Sequence, residues 1–266
     1  MIDFSIIVPA YNNLELLQNA LSTIVNQKAI KFEIIIVDDS DNDIISDYIE
    51  RLQLKNTMYF HNIPSLGAVK NWNFGLSMAN GEFLILLHHD EYFIDKEYFL
   101  NNCYMKFKKT ACDAIISNSI VYFTDGNSKR QIIQKYIKKL IITTFPSLLY
   151  TVNIIGPTSC VILKKNILVP FNEELNWLVD IDWYFRLLRR KKLVIDENIN
   201  IASLHGHVNQ ISTTINIKNT EKKDQFIIQN YFGIFSSVSI ALLFRNCLYF
   251  LKTILQIKTN PFWKKI

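Results

Sequence analysis

The sequence predicts an α/β fold, with a mostly parallel central sheet in one domain and a helical extension at the C-terminus. Short apolar runs alternate with amphipathic segments over the first third of the chain. This β-α-β-α alternation is typical of parallel sheets with right-handed crossovers. Two of the runs, at 32–37 and 82–87, are typical of strands buried on both faces. Both end on polar clusters, at strand ends where open α/β sheets bind ligands.

The elements of the first half follow one another in a regular order. Ser5–Pro9 is the first predicted strand, and the proline is expected to break it. Apolar residues between 14 and 25 recur at helical spacing, and the second strand ends at Asp38-Asp39. The next predicted elements are a helix over 44–52, a strand over 57–60, a helix over 68–78 and a strand that ends at His88.

The half after Asp113 is less regular. Ala114–Phe123 alternates like a strand, and Asp125-Gly126-Asn127 is its predicted turn. A strand over 159–163, a helix over 180–190 and a short strand over 193–195 are predicted after it. Because no Pro/Gly-rich linker is visible, residues 1–215 are expected to form one domain, with 216–266 as the helical extension.

Composition excludes several classes of protein. The net charge of +5 is spread out, without the basic stripe and interleaved aromatics of a nucleic-acid-binding protein. It is compatible with an anionic substrate or an anionic membrane surface. The four cysteines form no C-x-x-C pair, which predicts buried free thiols instead of disulfides or zinc. The N-terminus lacks the basic segment of a signal peptide, so a cytoplasmic location is expected.

An apolar stretch at 231–251 is long enough to cross a bilayer, but Arg245 interrupts it. Arginine at the centre of a spanning helix costs about 2.5–3.5 kcal/mol on insertion scales. The sequence therefore favours a helix packed on the domain. Attachment to the inner face of the cell membrane ranks second, and a true span ranks last.

The polar clusters at the two strand ends carry the functional prediction. The second strand ends on Asp38-Asp39, and the later strand ends on His88-His89-Asp90-Glu91. Carboxylates at this edge are placed to hold a metal and the diphosphate that it neutralises, which predicts an enzyme. The alternative is that Asp38 and Asp39 only cap the helix that follows them.

Five motifs in this order resemble the signature of the family 2 inverting glycosyltransferases. They are Ser5–Asn12, Val37–Ser40, Gly67–Asn73, Ala79–Phe83 and His88–Glu91. The resemblance is close over residues 3–95 and returns at Gly156–Ser159, Asp180–Arg186 and His207–Ser212. It implies the A-type glycosyltransferase fold, a single Rossmann-like nucleotide-binding domain. Residues 1–95 would bind the nucleotide-sugar and residues 96–215 the acceptor.

The resemblance also implies residues for the donor site. Tyr11 would lie against the base or ribose, Asp39 would accept a hydrogen bond from the nucleobase, and Asp38 would support that loop. The full set implied for donor binding is Pro9, Tyr11, Asn12, Asp38, Asp39, Asn73, His88 and His89.

A divalent cation, Mn²⁺ or Mg²⁺, is implied at Asp90, with His207 approaching it from a closing loop. His88 departs from the family pattern, because it occupies the place of an aspartate two residues before the metal-binding one. His88 and His89 could contact ribose or diphosphate, or supply a nitrogen ligand. The alternative is that both are polar loop residues without a ligand.

An inverting transfer needs a base that takes the proton of the acceptor hydroxyl. Asp180 matches the base position of the family, and Asp182 is the runner-up. On a helix the two side chains would point about 200° apart, so only one is expected to face the pocket.

The leading hypothesis is therefore an inverting transferase that moves a sugar from a nucleoside diphosphate to a glycan hydroxyl. A UDP-sugar is the first candidate donor, and a lipid-linked surface glycan is the first candidate acceptor. Nucleotidyl transfer is disfavoured, because Pro9-Ala10-Tyr11-Asn12 lacks the expected Gly-rich loop. The alternative from another class is a non-catalytic nucleotide- or glycan-binding domain with a decayed metal site.

Overall fold

The computed structural model of the 266-residue chain describes residues 2–130, 133–207, 210 and 216–254. Nine strands of this described part form one sheet. The strands are β1 Phe4–Ala10, β2 Phe32–Asp38, β3 Thr57–His61, β4 Phe83–Leu86, β5 Glu91–Phe93, β6 Ala114–Phe123, β7 Ser128–Arg130, β8 Val161–Lys164 and β9 Leu193–His205. The helices are α1 Leu14–Ile24, α2 Ile44–Leu52, α3 Ala68–Ser77, α4 Phe99–Thr110, α5 Lys135–Thr144, α6 Val179–Leu188, α7 Ile217–Phe232 and α8 Ser237–Ile254.

The sheet has the order β3-β2-β1-β4-β8-β6-β9-β5, with β7 paired to β6. Strands β3, β2, β1 and β4 run parallel, as the alternating pattern predicts. The second half is mixed, because β8 is antiparallel to both β4 and β6, whereas β6 and β9 are parallel. The predicted α/β fold class is confirmed, but the sheet as a whole is mixed and not mostly parallel, since four of its described strand pairs are parallel and four are antiparallel.

Both faces of the sheet are buried. Along β1, Phe4, Ile6 and Val8 join one apolar core, while Ile7 joins the core on the other face. Helix α3 packs tightly on the second face because Gly75 lacks a side chain, and a Cβ there would lie 2.6 Å from Ile7 Cγ2. These two cores hold the strand ends in fixed positions.

Pro9 does not break β1 as predicted. It lies inside the strand, which continues to Ala10, the partner of Asp38. The Pro9 carbonyl accepts a hydrogen bond from the His89 amide at 3.2 Å, on the side of β4. Proline has no amide hydrogen to donate on that side. Because the pairing of β1 with β4 ends at Leu86, this does not interrupt the hydrogen bonds between the two strands.

The short strand predicted at 193–195 is in fact the 13-residue β9. Its central residues Asp196, Glu197 and Asn198 interrupt the apolar pattern, so the sequence shows only its first part. A register shift in the pairing of β6 with β9, between Ile116 and Asn118, accommodates these polar residues. The strand then continues to the edge where the candidate site lies.

The apolar stretch at 231–251 forms parts of two packed helices. Helix α7 ends at Phe232, Gly233 adopts a φ of +87°, and α8 begins at Ser237. Arg245 is buried and pairs with Glu221 of α7. Within the described part of the chain, no helix has both the length and the apolar character needed to cross a bilayer.

Candidate active site

The carboxyl ends of β1, β2 and β4 meet at one edge of the sheet, where the predicted polar clusters lie. Asp38 ends β2 and is fully buried. Its carboxylate accepts hydrogen bonds from the Tyr59 hydroxyl at 2.7 Å and from the Ser40 amide at 3.0 Å. These contacts fit the predicted support of the loop. Asp38 therefore does not cap α2, because the residue that flanks the N-terminus of that helix is Asp43.

Asp39 organises a second loop. Its carboxylate accepts four hydrogen bonds of 2.6–3.2 Å from the side chains of Asn62 and Ser65 and the amides of Leu66 and Gly67. Because each carboxylate oxygen already has two donors, Asp39 is a saturated acceptor in this structure. A nucleobase would have to replace one of these donors. Asn62, Ser65 and Leu66 were missed by the sequence reading, since no local pattern links them to Asp39.

Tyr11 and Asn12 follow β1 at the same edge. Tyr11 is 41% exposed, so its ring is available for a ligand. Asn12 has a φ of +47°, and its amide donates to Ser40 Oγ at 2.8 Å. Its side-chain oxygen accepts from Asn42 Nδ2 at 2.9 Å. The structure thus brings the first motif and the Asp38 loop together.

Asn73 has a structural role that does not support the predicted contact with the donor. Its side-chain amide makes two hydrogen bonds with the backbone of Phe171, at 3.0 and 2.8 Å, and one with Glu173. Asn71, two residues earlier, is buried and contacts the segments around the Asp39 loop. It donates to the Val37 carbonyl at 2.9 Å and accepts from Asn62.

His88 lies deep in the site among acidic groups. Its Nδ1 is 3.5 Å from Glu91 Oε2 and 3.4 Å from Thr158 Oγ1, and its ring packs edge-on against Trp72. Burial lowers the pKa of His88, but the charges of Glu91, Asp90 and Asp180 outweigh it and raise the pKa to about 9. The acidic neighbours therefore favour the protonated form of His88 at neutral pH. Its other ring nitrogen, Nε2, is buried and has no hydrogen-bond partner among the described residues.

The structure brings Asp90 and His207 together, as the resemblance implies. His207 Nε2 lies 3.0 Å from Asp90 Oδ2. Burial opposes ionisation of Asp90, yet the hydrogen bond of His207 and the nearby histidines lower its pKa overall. His89 differs, because burial lowers its pKa, and its Nδ1 lies 3.2 Å from the Pro9 carbonyl.

Asp90 and His207 fit one side of a divalent-cation site. They bring a carboxylate oxygen and an imidazole nitrogen to the same point, and both are ligand types that metals accept. Among the described residues no group of three or more His, Cys, Asp and Glu side chains is arranged to hold a metal. The two side chains would therefore need substrate oxygens and water to complete the coordination.

Asp180 lies in the first turn of α6, near His88 and Glu91. Burial raises its pKa most, His88 lowers it, Glu91 raises it, and the result is a pKa of about 6. No hydrogen bond to its carboxylate is found among the described residues. A partly buried carboxylate that ionises near neutral pH is suited to accept a proton.

Asp182 has different surroundings, as its position two residues along a helix predicts. It is buried and accepts hydrogen bonds from the Tyr150 hydroxyl at 2.9 Å and from Arg186 Nε at 2.7 Å. Arg186 also donates to the Pro170 carbonyl. These contacts fix α6 against its neighbours, which leaves Asp180 as the candidate base.

The Gly156–Ser159 loop closes the site beside His88. Gly156 adopts a φ of +109°, and a Cβ at that position would lie 3.1 Å from Ser119 Oγ. Its carbonyl accepts a hydrogen bond from the Tyr184 hydroxyl at 2.9 Å. Thr158 is buried against His88, a contact that sequence reading did not assign.

Known proteins resemble this chain in sequence. Residues 5–169 match the sequence profile of Glycosyl transferase family 2. Glycosyltransferase GlyG of Streptococcus pneumoniae is 29% identical over 126 residues, which cover 46% of this chain and 41% of that protein. The poly(ribitol-phosphate) β-N-acetylglucosaminyltransferase TarS of Staphylococcus aureus is 36% identical over 103 residues, or 36% of this chain and 18% of TarS. The chain thus matches less than half the length of these two curated relatives.

Solved structures resemble it in fold. S. aureus TarS 1–349 in complex with UDP-GlcNAc superposes with a TM-score of 0.70 at 16% identity, covering 98% of this chain and 78% of that one. The mannosyltransferase PcManGT of Pyrobaculum calidifontis, in complex with GDP-Man and Mn²⁺, gives a TM-score of 0.59 at 12% identity, with coverages of 97% and 76%. These likenesses confirm the glycosyltransferase fold implied by the motifs. Since the family profile matches well over half of the sequence, the chain belongs to glycosyl transferase family 2.

Proposed function

We propose that the protein is an inverting glycosyltransferase that moves a sugar from a nucleoside diphosphate to a hydroxyl group of a glycan. The observation that carries the proposal is the position of Asp180. This carboxylate has a pKa raised to about 6 and interacts with His88, two residues before Asp90. A candidate base and a candidate diphosphate site thus lie side by side at the edge where sheets of this class bind ligands.

In the proposed reaction Asp180 accepts the proton of the acceptor hydroxyl as that oxygen attacks the anomeric carbon. The nucleoside diphosphate leaves from the opposite face of the sugar, so a single displacement inverts the configuration. Asp180 must be ionised to act, which the pKa of about 6 permits at neutral pH. The positive charge of His88 stabilises the ionised carboxylate beside it.

Asp90 and His207 are the proposed holders of a divalent cation. When bound, such a cation neutralises the charge that develops on the leaving diphosphate. The nitrogen of His207 favours Mn²⁺, because Mg²⁺ prefers oxygen ligands. A fold relative solved with Mn²⁺ and GDP-Man supports the metal, and TarS solved with UDP-GlcNAc supports testing UDP-sugars first.

Calorimetric titration of UDP, GDP and dTDP, each with Mn²⁺ and with EDTA, tests the donor site. We expect one nucleotide to bind, and to bind more weakly in EDTA. Asp90→Asn should reduce the effect of Mn²⁺, whereas Lys28→Met, which breaks a surface ion pair with Glu97, should not. Failure of all three nucleotides to bind would refute the assignment of the donor site.

The Asp180→Asn variant separates catalysis from mere binding. We expect it to bind the nucleotide as the wild type does and to lose transfer by about 10²–10⁴-fold, the usual contribution of a general base. An unchanged rate would remove Asp180 from the mechanism. A wild-type protein that binds nucleotide but transfers sugar to no acceptor, nor to water, would favour the binding-domain alternative, which the histidine at position 88 suggests.

A lipid-linked acceptor at the cytoplasmic face of a membrane is part of the proposal. It is supported by exposed apolar side chains on and between the C-terminal helices. They are Phe226, Tyr231, Ile234, Phe235, Ile240, Leu243 and Phe244. Phe235 is 95% exposed, and the exposed Lys222 and Lys223 lie on the same helix as Phe226. Aromatic and basic side chains together suit an anionic lipid surface.

Co-sedimentation with vesicles tests this contact. We expect the protein to bind phosphatidylglycerol-containing vesicles better than pure phosphatidylcholine, and Phe235→Ser to weaken that binding. Ile63→Ser, which changes an exposed apolar residue elsewhere, is the matched control. Failure to bind either kind of vesicle would exclude the membrane contact and leave the transferase proposal intact.

A further inference from the structure

The C-terminal helices hold the segment that leads into the helix of the candidate base. Asp224 of α7 is fully buried. Its carboxylate accepts hydrogen bonds from three successive backbone amides, those of Asn176, Trp177 and Leu178. The distances are 3.0, 2.6 and 2.8 Å, respectively. Helix α6 begins at the next residue, and Asp180 follows in its first turn.

The carboxylate of Asp224 holds the turn that leads into α6, and the last of its three donors is the amide of Leu178, which flanks the helix. That amide is among those with no partner within the helix, and a buried amide without a partner is costly. Leu178, which flanks α6, has a side chain that cannot cap it, and no side-chain cap is present there. An ionised acceptor also interacts favourably with the positive end of the helix dipole and makes stronger bonds than a neutral one.

Helix α7 is in turn fixed to the rest of the molecule by a polar network. Glu221, three residues before Asp224, pairs with the buried Arg245 of α8. Gln225 and Asn246 exchange two hydrogen bonds, at 3.1 and 2.9 Å. Arg245 also donates to the carbonyls of Tyr150 and Thr151, beside the segment that contacts α6. Asp224 therefore occupies a fixed position from which it can hold the start of α6.

We propose that Asp224 is a positioning residue for Asp180, so that the C-terminal helices complete the catalytic site instead of merely extending the domain. The inference rests on the proposed function, in which Asp180 is the base. Asp224 contacts neither Asp180 nor a substrate. It acts by fixing the backbone that carries Asp180, and only Val179 separates the last residue that it binds from Asp180.

The variant Asp224→Asn tests the proposal, because it keeps the size of the side chain and removes its charge. All three amides donate to Asp224 Oδ2, and the Asn176 amide also lies 3.2 Å from Oδ1. In asparagine a single neutral oxygen, a weaker acceptor, would have to serve three donors, and the NH2 group would face the Asn176 amide, so the three bonds weaken. We expect amide hydrogen exchange to accelerate across residues 176–182. We expect kcat for release of UDP from a bound UDP-sugar to fall at least tenfold, while the KM for that donor stays within about twofold of the wild type.

The pH profile gives a readout that a purely structural role would not change. If the first turn of α6 loosens, Asp180 becomes more exposed to water, and the acidic limb of kcat should move to lower pH. Lys223→Met is the matched control, since it removes an exposed charge next to Asp224 on the same helix without touching the three amides. It should leave the hydrogen exchange at 176–182 and the acidic limb of kcat unchanged.

Two results would overturn the proposal. One is an Asp224→Asn protein with wild-type kcat, and the other is equal loss of kcat in Asp224→Asn and Lys223→Met with no shift of the acidic limb in either. Asp180→Asn, measured beside them, distinguishes the two levels of inference. If Asp180→Asn is as active as the wild type, the assignment of the base fails. If Asp180→Asn is inactive and Asp224→Asn is not, only the positioning role fails.

Discussion

At the scale of single residues, the ionised carboxylate of Asp180 lowers the stability of the folded protein at neutral pH. Its pKa is raised from 3.8 to about 6, chiefly by burial. The folded protein therefore binds this proton more tightly than the unfolded one, and stability falls as pH rises from about 4 to 6. Above that window the full cost of a buried charge is present. Such a cost is typical of a group retained for chemistry.

The variant Asp180→Asn should therefore be more stable than the wild type at pH 8. We expect the free energy of unfolding to rise by about 1–3 kcal/mol, given about 1.4 kcal/mol per unit of pKa shift. At pH 4 the gain should shrink towards zero, because the wild-type carboxylate is then protonated. Urea denaturation at the two pH values measures the difference. A destabilised variant at pH 8 would contradict the buried-charge explanation.

His88 should control the pH at which the base becomes active. In the wild type we expect kcat/KM to rise with pH through an acidic limb near pH 6, as Asp180 loses its proton. His88→Gln removes the positive charge that lowers the pKa of Asp180, so the limb should move to higher pH. Measurement of kcat/KM for the two proteins between pH 5 and 9 would show this shift of the limb. His61→Gln, at a histidine on the far side of the Asp39 loop, should leave the limb in place.

Single residues were also where prediction from sequence was least complete. The order of the motifs made Asp39, Asp90 and Asp180 candidates, and the structure brings Asp90 Oδ2 within 3.0 Å of His207 Nε2. The donors that saturate Asp39 come from residues 62–67, and the carboxylate that holds the start of α6 comes from Asp224. Contacts of this kind depend on how distant segments pack, so no spacing in the sequence reveals them.

At the scale of elements, the packing of α3 on the sheet depends on a glycine. We expect Gly75→Ala to lower the free energy of unfolding by about 1–3 kcal/mol, because overpacking a tight contact costs that much. A Cβ there would lie 2.6 Å from Ile7 and 3.0 Å from Val37. The loss should exceed the gain of about 1 kcal/mol in helix propensity. Chemical denaturation of Gly75→Ala and the wild type measures the change in the free energy of unfolding.

Ser77→Ala on the exposed side of α3 is the matched control for that substitution. It changes helix propensity without entering the core, so we expect a change within about 0.5 kcal/mol. A Gly75→Ala protein as stable as Ser77→Ala would show that the helix can move away from the sheet at little cost.

Elements with a clear period were predictable, and the others were not. The first four strands and α1 to α3 were predicted because each apolar run has one period and ends in polar residues. Helices α4 and α5 were both missed, and in α5 the buried Lys138 obscures the apolar face. Strand β9 was predicted too short, because Asp196 and its polar neighbours lie in the middle of it. In both cases tertiary contacts stabilise a segment that its own pattern does not.

At the scale of the whole molecule, the buried ion pair of Arg245 with Glu221 joins the two C-terminal helices. We expect Arg245→Met alone to destabilise the protein by about 3–5 kcal/mol, because it leaves Glu221 charged and buried without its partner. Adding Glu221→Leu should recover most of that loss. Thermal denaturation of the two variants tests this.

The surface pair of Lys28 with Glu97 offers a control for the buried one. Both side chains are about half exposed, so Lys28→Met should cost less than about 1 kcal/mol. If Arg245→Met were equally mild, the C-terminal helices would owe their position to apolar packing alone.

The place of β9 in the sheet has a consequence for the order of folding. β9 lies between β6 and β5, and Glu91 of β5 pairs with Ser203, far later in the chain. Contacts between such distant residues form slowly, since a long loop must close first. Strands β1 to β4 can pair by short crossovers, whereas β5 has to wait for β9. The loop that carries Asp90 is thus fixed on both sides only in the last steps of folding, so that donor-binding ability should appear after most of the sheet has formed.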